Sequence, residues 1–206
     1  MTYQKDHIEV ERRARGTFLP PGAEPLYTAH IFDVYTVAQP SLMERIRWAR
    51  VSYFPLVESR REVTRKTFTH GEYVESELDE KPAAYIARLL KKGGCPRVIV
   101  AGRRRAYNVR GLTVCNDRII RATMRGIEDL GAWTEMERLV NSADEIPGAR
   151  QEVYDGFLRA GVARDMLVIE PYPVLNLKTD GRVAGRLVSI STSSQEDALA
   201  APRLKQ

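Results

Sequence analysis

The feature that most constrains this chain is the junction at Gly102. A short apolar, β-branched run, Val98-Ile99-Val100-Ala101-Gly102, passes without a break into Arg103-Arg104-Arg105-Ala106-Tyr107-Asn108-Val109-Arg110-Gly111-Leu112-Thr113. Residues 95–101 therefore read as a buried strand that delivers three adjacent guanidiniums to one place. No acid lies between Glu80 and Asp117, so neighbours in sequence cannot neutralise them. An anionic partner is expected. Phosphate suits arginine, whose planar fork of donors stays charged at any working pH. A solvated basic face, or distant carboxylates brought in by the fold, would account for the same residues.

A chain of 206 residues is long enough for one substantial core, and nothing in it requires a second domain. With 43% hydrophobic and 29% charged residues, the composition fits a soluble globular protein. The net charge of +5 and the pI near 9.3 favour anionic partners, whether nucleotides, nucleic acid or acidic protein. Cys95 and Cys115 are the two cysteines, without a C-x-x-C or a histidine cluster, so neither a disulfide framework nor a structural zinc site is indicated. His7, His30 and His70 have no mutual spacing that points to a metal or a triad. The N-terminal residues lack the apolar segment of a leader peptide, and no run approaches about 18 apolar residues. A cytoplasmic protein without membrane spans is expected.

Along the chain, His7-Ile8-Glu9-Val10-Glu11 alternates, and Leu19-Pro20-Pro21-Gly22 can continue neither helix nor strand. Residues 1–28 thus read as a short strand or arm with a connector, suited to packing on a partner subunit. Residues 29–37 are β-branched and aromatic, hence a strand. Ser41 with Glu44 makes a capping box and predicts a helix over 41–50. Pro82, preceded by acids and followed by lysines in the last turn, predicts a helix over 83–92 that stops at Gly93-Gly94. Ile119, Ile120, Met124, Ile127, Leu130, Trp133, Met136 and Leu139 recur at helical spacing and predict a helix over 118–140. Val153, Phe157 and Leu158 predict another over 149–160, and residues 166–177 add a strand. The sum is an α/β (α+β) fold: a single domain over 29–196 with a mixed central sheet covered by helices, and a tail over 197–206.

Several pieces, in this order, resemble the flavin-dependent thymidylate synthase family, ThyX. Ala49-Arg50-Val51-Ser52-Tyr53 is similar to the family's stretch beside FAD, and Phe68-Thr69-His70-Gly71-Glu72-Tyr73 to its Thr-Ser/Pro-Phe-Glu-His. Tyr85-Ile86-Ala87-Arg88 is like the Phe-Val-Ala-Arg that precedes the family signature. That signature is Arg-His-Arg, seven residues, then Ser. Here the spacing gives Arg103-Arg104-Arg105, seven residues, then Thr113. Residues 160–165 and Asn176-Leu177-Lys178-Thr179 are similar to the family's late helix and loop. Two departures are plain: Arg104 stands for the central histidine and Thr113 for the serine.

The resemblance implies methylation of a uridine nucleotide (dUMP or UMP) at C5, with FAD as cofactor, NADPH and methylenetetrahydrofolate as co-substrates, and a homotetramer as the working form. It implies Arg105 and Thr113 as catalytic residues and Ser52, Thr69, Glu72, Arg103, Arg104 and Arg105 as cofactor ligands. Arg88, Tyr107, Arg110 and Arg164 would hold substrate. Read locally, Ser52, Thr69 and Glu72 are also caps or surface polars, Arg88 a solvated charge, and Arg164 with Asp165 a cap or ion pair. The competing class is an arginine-rich nucleic-acid-binding or virion/ribonucleoprotein assembly protein. Eight arginines and one acid between Arg97 and Arg125, with Tyr107 interleaved, suit a nucleic-acid backbone.

Overall fold

The computed structural model describes residues 7–172, except positions 40, 54, 70, 79–80, 92–96 and 124–125. Its strands are β1 (His7–Arg15), β2 (Glu24–Gln39), β3 (Leu42–Tyr53), β4 (Leu56–Thr69), β5 (Glu72–Glu77), β6 (Arg97–Val109), β7 (Leu112–Thr123) and β8 (Gly126–Val140). Two helices join them, α1 (Pro82–Lys91) between β5 and β6, and α2 (Ile146–Arg159) after β8. The strands form a closed antiparallel barrel in the order β1-β5-β4-β3-β2-β6-β7-β8. One meander runs from β2 to β5 and another from β6 to β8, and β2 joins them by pairing with β6 from Glu24↔Asn108 to Thr36↔Arg97. The remaining two edges are bridged by β1, which pairs with β8 from Ile8↔Val140 to Arg15↔Trp133 and with β5 at His7↔Glu75. Closure leaves no unpaired sheet edge.

This corrects the expected α/β fold with a mixed central sheet under helices. The helix expected over 41–50 is strand β3. Glu44, which resembled half of a capping box, instead accepts hydrogen bonds from Arg65 of β4 and Arg88 of α1. The helix expected over 118–140 is β7 and β8. A bulge opposite Ile119 and Ile120 places Leu130 as an extra residue before Gly131, which takes φ 85°. The bulge shifts the strand alternation by one, so apolar residues recur at threes without a helix. The helices expected over 83–92 and 149–160 are present as α1 and α2, and the strand over 29–37 lies inside β2. Residues 7–15, expected as a short strand or arm, are the strand that closes the barrel. Of the strand expected over 166–177, Val168 alone bridges, to Arg13, while Arg164–Met166 is a 3-10 turn. Positions 173–177 and the tail over 197–206 lie outside the described residues.

The main apolar core sits outside the barrel wall. Phe157, Val153, Ala149 and Ile146 of α2 bury against Val10, Ala14, Leu112, Val114, Met136 and Val140 of β1, β7 and β8. Gly156 lets the helix seat this closely: a Cβ there would stand 2.9 Å from Leu112 Cδ1 and 3.0 Å from Met136 Sδ. On the far side, Tyr85 of α1 is fully buried against Ile46 and Val63. The strands under α2 therefore turn apolar residues outward and charged ones inward, the reverse of a sandwich.

The β6–β7 hairpin turns on Arg110 and Gly111, at φ 53° and 85°, between Val109 and Leu112. Two positive φ values in a two-residue loop are those of a type I′ turn, whose twist matches the strands. Arginine in the left-handed region costs roughly 1–2 kcal/mol, and asparagine adopts that region more readily. Arg110→Asn should therefore stabilise the protein by about 1 kcal/mol, read as a higher urea midpoint at unchanged slope. Phe157→Ala, which empties the centre of the α2 seat, should destabilise by about 3–5 kcal/mol in the same experiment.

Candidate functional site

Strand alternation carries charged side chains from every part of the barrel into its interior. They line a cavity of about 160 Å³, bounded by Glu9 and Arg13 (β1), Tyr27 and Tyr35 (β2), Arg45 and Arg47 (β3), Glu62 and Lys66 (β4), Glu75 (β5), Arg104 (β6), and Glu135 and Glu137 (β8). One end of the interior is filled by Tyr35, Met43, Tyr73, Val98, Val100, Ile119 and Tyr172. Tyr172 donates to Asp117 at 3.2 Å, and the Arg13 guanidinium lies 5.1 Å from its ring centroid. Toward the other end the wall turns apolar at Ala29, Ala49 and Val51, with the rings of Tyr27 and Tyr53 tilted against one another, centroids 5.6 Å apart. Beyond it opens an antechamber of about 720 Å³ lined by Tyr27, Tyr53, Leu56, Val57, Arg105 and Tyr107 among others. Tyr27 borders both spaces.

Five interior cations are clasped by carboxylates. Arg13 reaches Glu11 at 2.6 Å and Glu135 at 2.8 Å. Arg45 meets Glu75 at 2.8 Å and Glu62 at 3.2 Å. Arg47 makes two hydrogen bonds to Asp33, at 2.9 and 2.8 Å. Lys66 pairs with Glu9, and with Glu75 at 3.0 Å. Arg104 forks onto Asp117 at 2.9 and 2.7 Å and reaches Glu135 at 3.2 Å. Burial opposes ionisation of Glu135, but Arg13 and Arg104 together hold its carboxyl well below the usual range.

The wall made by β1 and β8 differs in kind. Glu11, Glu135 and Glu137 bring one carboxylate oxygen each within 4.8 Å of one another. Glu137 has no hydrogen bond or ion pair among the described residues. Burial, then Glu9, Glu135 and Glu11, push its pKa up to about 8. An all-oxygen cluster with one carboxylate unused suits a hard divalent cation such as Mg²⁺ or Mn²⁺.

The residues singled out in the sequence scatter over this frame. Alternation splits the triple arginine: Arg104 faces the cavity, while Arg103 and Arg105 are exposed on the outer wall. Thr113 pairs with Glu137 across β7 and β8 and shares its inward register position. Ser52, Arg105 and Tyr107 border the antechamber. Glu72 is buried outside the barrel, where it clasps Arg12 at 2.9 Å and Arg150 of α2 at 2.9 Å, a tie that holds the helix to the wall. Thr69 ends β4, Arg88 lies over Tyr85 at 4.7 Å, and Arg164 over Tyr154 at 4.1 Å. Arg110 is the turn residue described above. These residues do not converge on one place, and the ThyX-like α/β fold expected with them is replaced by the barrel. Glu9, Glu11, Arg13, Arg45, Arg47, Lys66, Glu135 and Glu137 were not singled out. Their signal was the alternation of charge with apolar residues, as in Glu9-Val10-Glu11 and Arg45-Ile46-Arg47.

A pH dependence follows from Glu137. Folded, it keeps its proton up to about pH 8; unfolded, it loses it near 4.5. Between these values the folded state binds more protons, so this group's contribution to stability falls as pH rises. Glu137→Gln should melt with the wild type near pH 4 and above it at pH 8–9. Adding Mg²⁺ at pH 8.5 should raise the wild-type melting temperature and leave the variant unmoved.

No protein-family model and no curated protein matches the chain. Solved structures do. The PH1819 protein of Pyrococcus horikoshii OT3 is 22% identical, covers 83% of this chain and 99% of its own, and superposes with a TM-score of 0.61. The PH1012 protein of the same organism is 17% identical over 80% and 96%, with a TM-score of 0.56. A protein of Vibrio parahaemolyticus provisionally assigned as an adenylate cyclase is 9% identical over 81% and 95%, with a TM-score of 0.53. At these identities the likeness is one of fold: the barrel is an architecture that recurs almost whole in other proteins.

Proposed function

We propose that this protein is a metal-dependent enzyme acting on the phosphoanhydride bonds of a triphosphate-bearing substrate held inside the barrel. The observation that carries the proposal is the convergence of Arg13, Arg45, Arg47, Lys66 and Arg104 on one cavity beside the cluster of Glu11, Glu135 and Glu137 on β1 and β8. Ion pairs buried at this density are a poor way to stabilise a fold, because desolvation offsets most of the Coulomb gain. Such clusters are instead common where charge must be handled. Five cations spread over four strands fit an extended polyanion, and a triphosphate presents non-bridging oxygens along its length that guanidinium forks match in pairs. The cavity of about 160 Å³ takes a short chain and excludes a nucleic-acid helix.

The carboxylate wall has its own part. Glu11, Glu135 and Glu137 would hold a divalent cation, which supplies charge neutralisation and polarisation of phosphoryl oxygens when bound. The arginines and Lys66 would orient the phosphate chain and stabilise charge that shifts toward the leaving group. On binding, the guanidiniums exchange protein carboxylates for phosphate oxygens, so the clasped network is a preformed site. The apolar antechamber beside Tyr27 favours a substrate whose triphosphate carries an organic group, with Tyr27 and Tyr53 as ring contacts. The assignment given to the Vibrio structure, an adenylate cyclase, denotes an enzyme that consumes a nucleoside triphosphate, which agrees with this reading. Cytoplasm, where such substrates and Mg²⁺ are abundant, is the setting it requires. No helix among the described residues is long and apolar enough to cross a membrane.

The test is release of phosphate or pyrophosphate from inorganic triphosphate and from ATP, with Mg²⁺, Mn²⁺ or EDTA. Turnover should require the cation and fall by about 10²–10³ in Arg47→Ala. Melting curves with added triphosphate separate lost binding from lost fold, since a ligand stabilises the folded state by mass action. Absence of both turnover and thermal stabilisation at millimolar triphosphate, with either metal, would overturn the assignment.

A further inference from the structure

The outer wall carries a second set of charges that the interior does not explain. Cross-strand register places Arg50 of β3 opposite His30 of β2, His30 opposite Arg103 of β6, and Arg103 opposite Arg118 of β7. All four are exposed. Directly opposed side chains in an antiparallel sheet lie about 4.5–5.5 Å apart at Cβ, and like charges there destabilise the pairing. Arg118 is relieved by Asp129 at 2.7 Å. Arg50 and Arg103 have no hydrogen bond or ion pair among the described residues. One step along the strands runs a parallel row, in which Trp48 stands opposite Phe32, Phe32 opposite Ala101, and Ala101 opposite Ile120. Phe32 is 43% exposed, and its ring meets Trp48 at 5.7 Å.

Two arginines without partners among the described residues, one of them facing Arg118, beside an exposed phenylalanine ring have no reason within the fold. We infer that this face, built on Arg50, His30, Arg103, Phe32 and Trp48, binds single-stranded nucleic acid. Guanidiniums take successive phosphates, and the Phe32–Trp48 pair offers a stacking platform for bases, which every sequence can use. An acidic polypeptide would satisfy the arginines but leave the rings unused. The remainder of the chain does not complement the face either: residues 173–206 hold Lys178, Arg182, Arg186, Arg203 and Lys205 against Asp180, Glu196 and Asp197. The inference stands apart from the interior site, since none of these residues lines the cavity.

Fluorescence anisotropy of a labelled 12-nucleotide oligo-uridine, titrated with the full chain across a salt series, tests it. The wild type should bind in the micromolar range at about 50 mM salt, where charge contacts are strong. Arg50→Ala/Arg103→Ala should weaken binding at least tenfold and flatten the salt slope by about 1.4, since each single-strand phosphate contact contributes about 0.7. Phe32→Ala should weaken it roughly 5- to 150-fold with the slope unchanged. Both variants should retain triphosphate turnover; the double variant should melt no lower than the wild type, slightly higher at low salt, and Phe32→Ala slightly lower through the lost contact with Trp48. No binding at 100 μM protein, or binding indifferent to all three substitutions, overturns the inference. Equal displacement by poly-glutamate together with an unaffected Phe32→Ala also overturns it, in favour of an acidic protein partner.

Discussion

The interaction on which the structure depends is the charge network enclosed by the barrel. Arg13, Arg45, Arg47, Lys66 and Arg104 each stand in a space where a lone cation would be prohibitively desolvated, and each is tolerated because carboxylates from other strands meet it. Those partners come from β1, β2, β4, β5, β7 and β8: Arg45–Glu62, Arg47–Asp33 and Arg104–Asp117 join neighbouring strands, while Arg13–Glu135 and Lys66–Glu9 form only when β1 closes the barrel. Closure, in turn, is the work of β1, which supplies Glu9, Glu11 and Arg13 to the interior and bridges β5 to β8. The same strand that seals the sheet thus completes the site. The network favours one register as well, because a one-residue slip of any strand would reverse which of its side chains face inward.

Charge inside confines interior apolar packing to one end, where Tyr35, Met43, Tyr73, Val98, Val100 and Ile119 meet Tyr172. The larger apolar core is the seat of α2 on β1, β7 and β8, with a smaller one of α1 on β3 and β4. Around the charged cavity the two faces of the strands therefore differ: outward apolar residues supply packing, and inward residues are charged. Glu72 joins the two regimes from outside, holding Arg150 of α2 and Arg12 of β1 within one buried cluster. The wall is thus tied from outside by this cluster and from inside by ion pairs such as Arg13–Glu135.

The division also separates what the interior and the exterior can recognise. Inside, a narrow space is lined by guanidiniums and by carboxylates from β1, β4, β5 and β8 and has room for a small ligand. Outside, the exposed row at Arg50, His30 and Arg103 meets solvent on a convex surface and can follow a longer chain. Arg104 belongs to the first and its neighbours Arg103 and Arg105 to the second, so adjacent residues of one basic run serve opposite faces of a single strand.

The sequence by itself determined the positions of α1 and α2, the strand at residues 29–37 and, of the strand expected over 95–101, the part from Arg97 on. These rest on local rules: a proline start, acids and lysines placed along the dipole, and β-branched runs. It misdirected at residues 41–50, where Ser41 and Glu44 imitate a helix start. It misdirected again at 118–140, where a bulge at Leu130 and Gly131 imitates helical spacing. Only the tertiary structure decided that strands with charged inward faces close into a barrel. Inward polarity inverts the usual pattern, and the partners that make it tolerable are 13 residues away for Arg104 and Asp117, and 122 for Arg13 and Glu135. The same distance hid the site: Glu11, Glu135 and Glu137 share no local motif, and it is β1 lying against β8 that makes them neighbours.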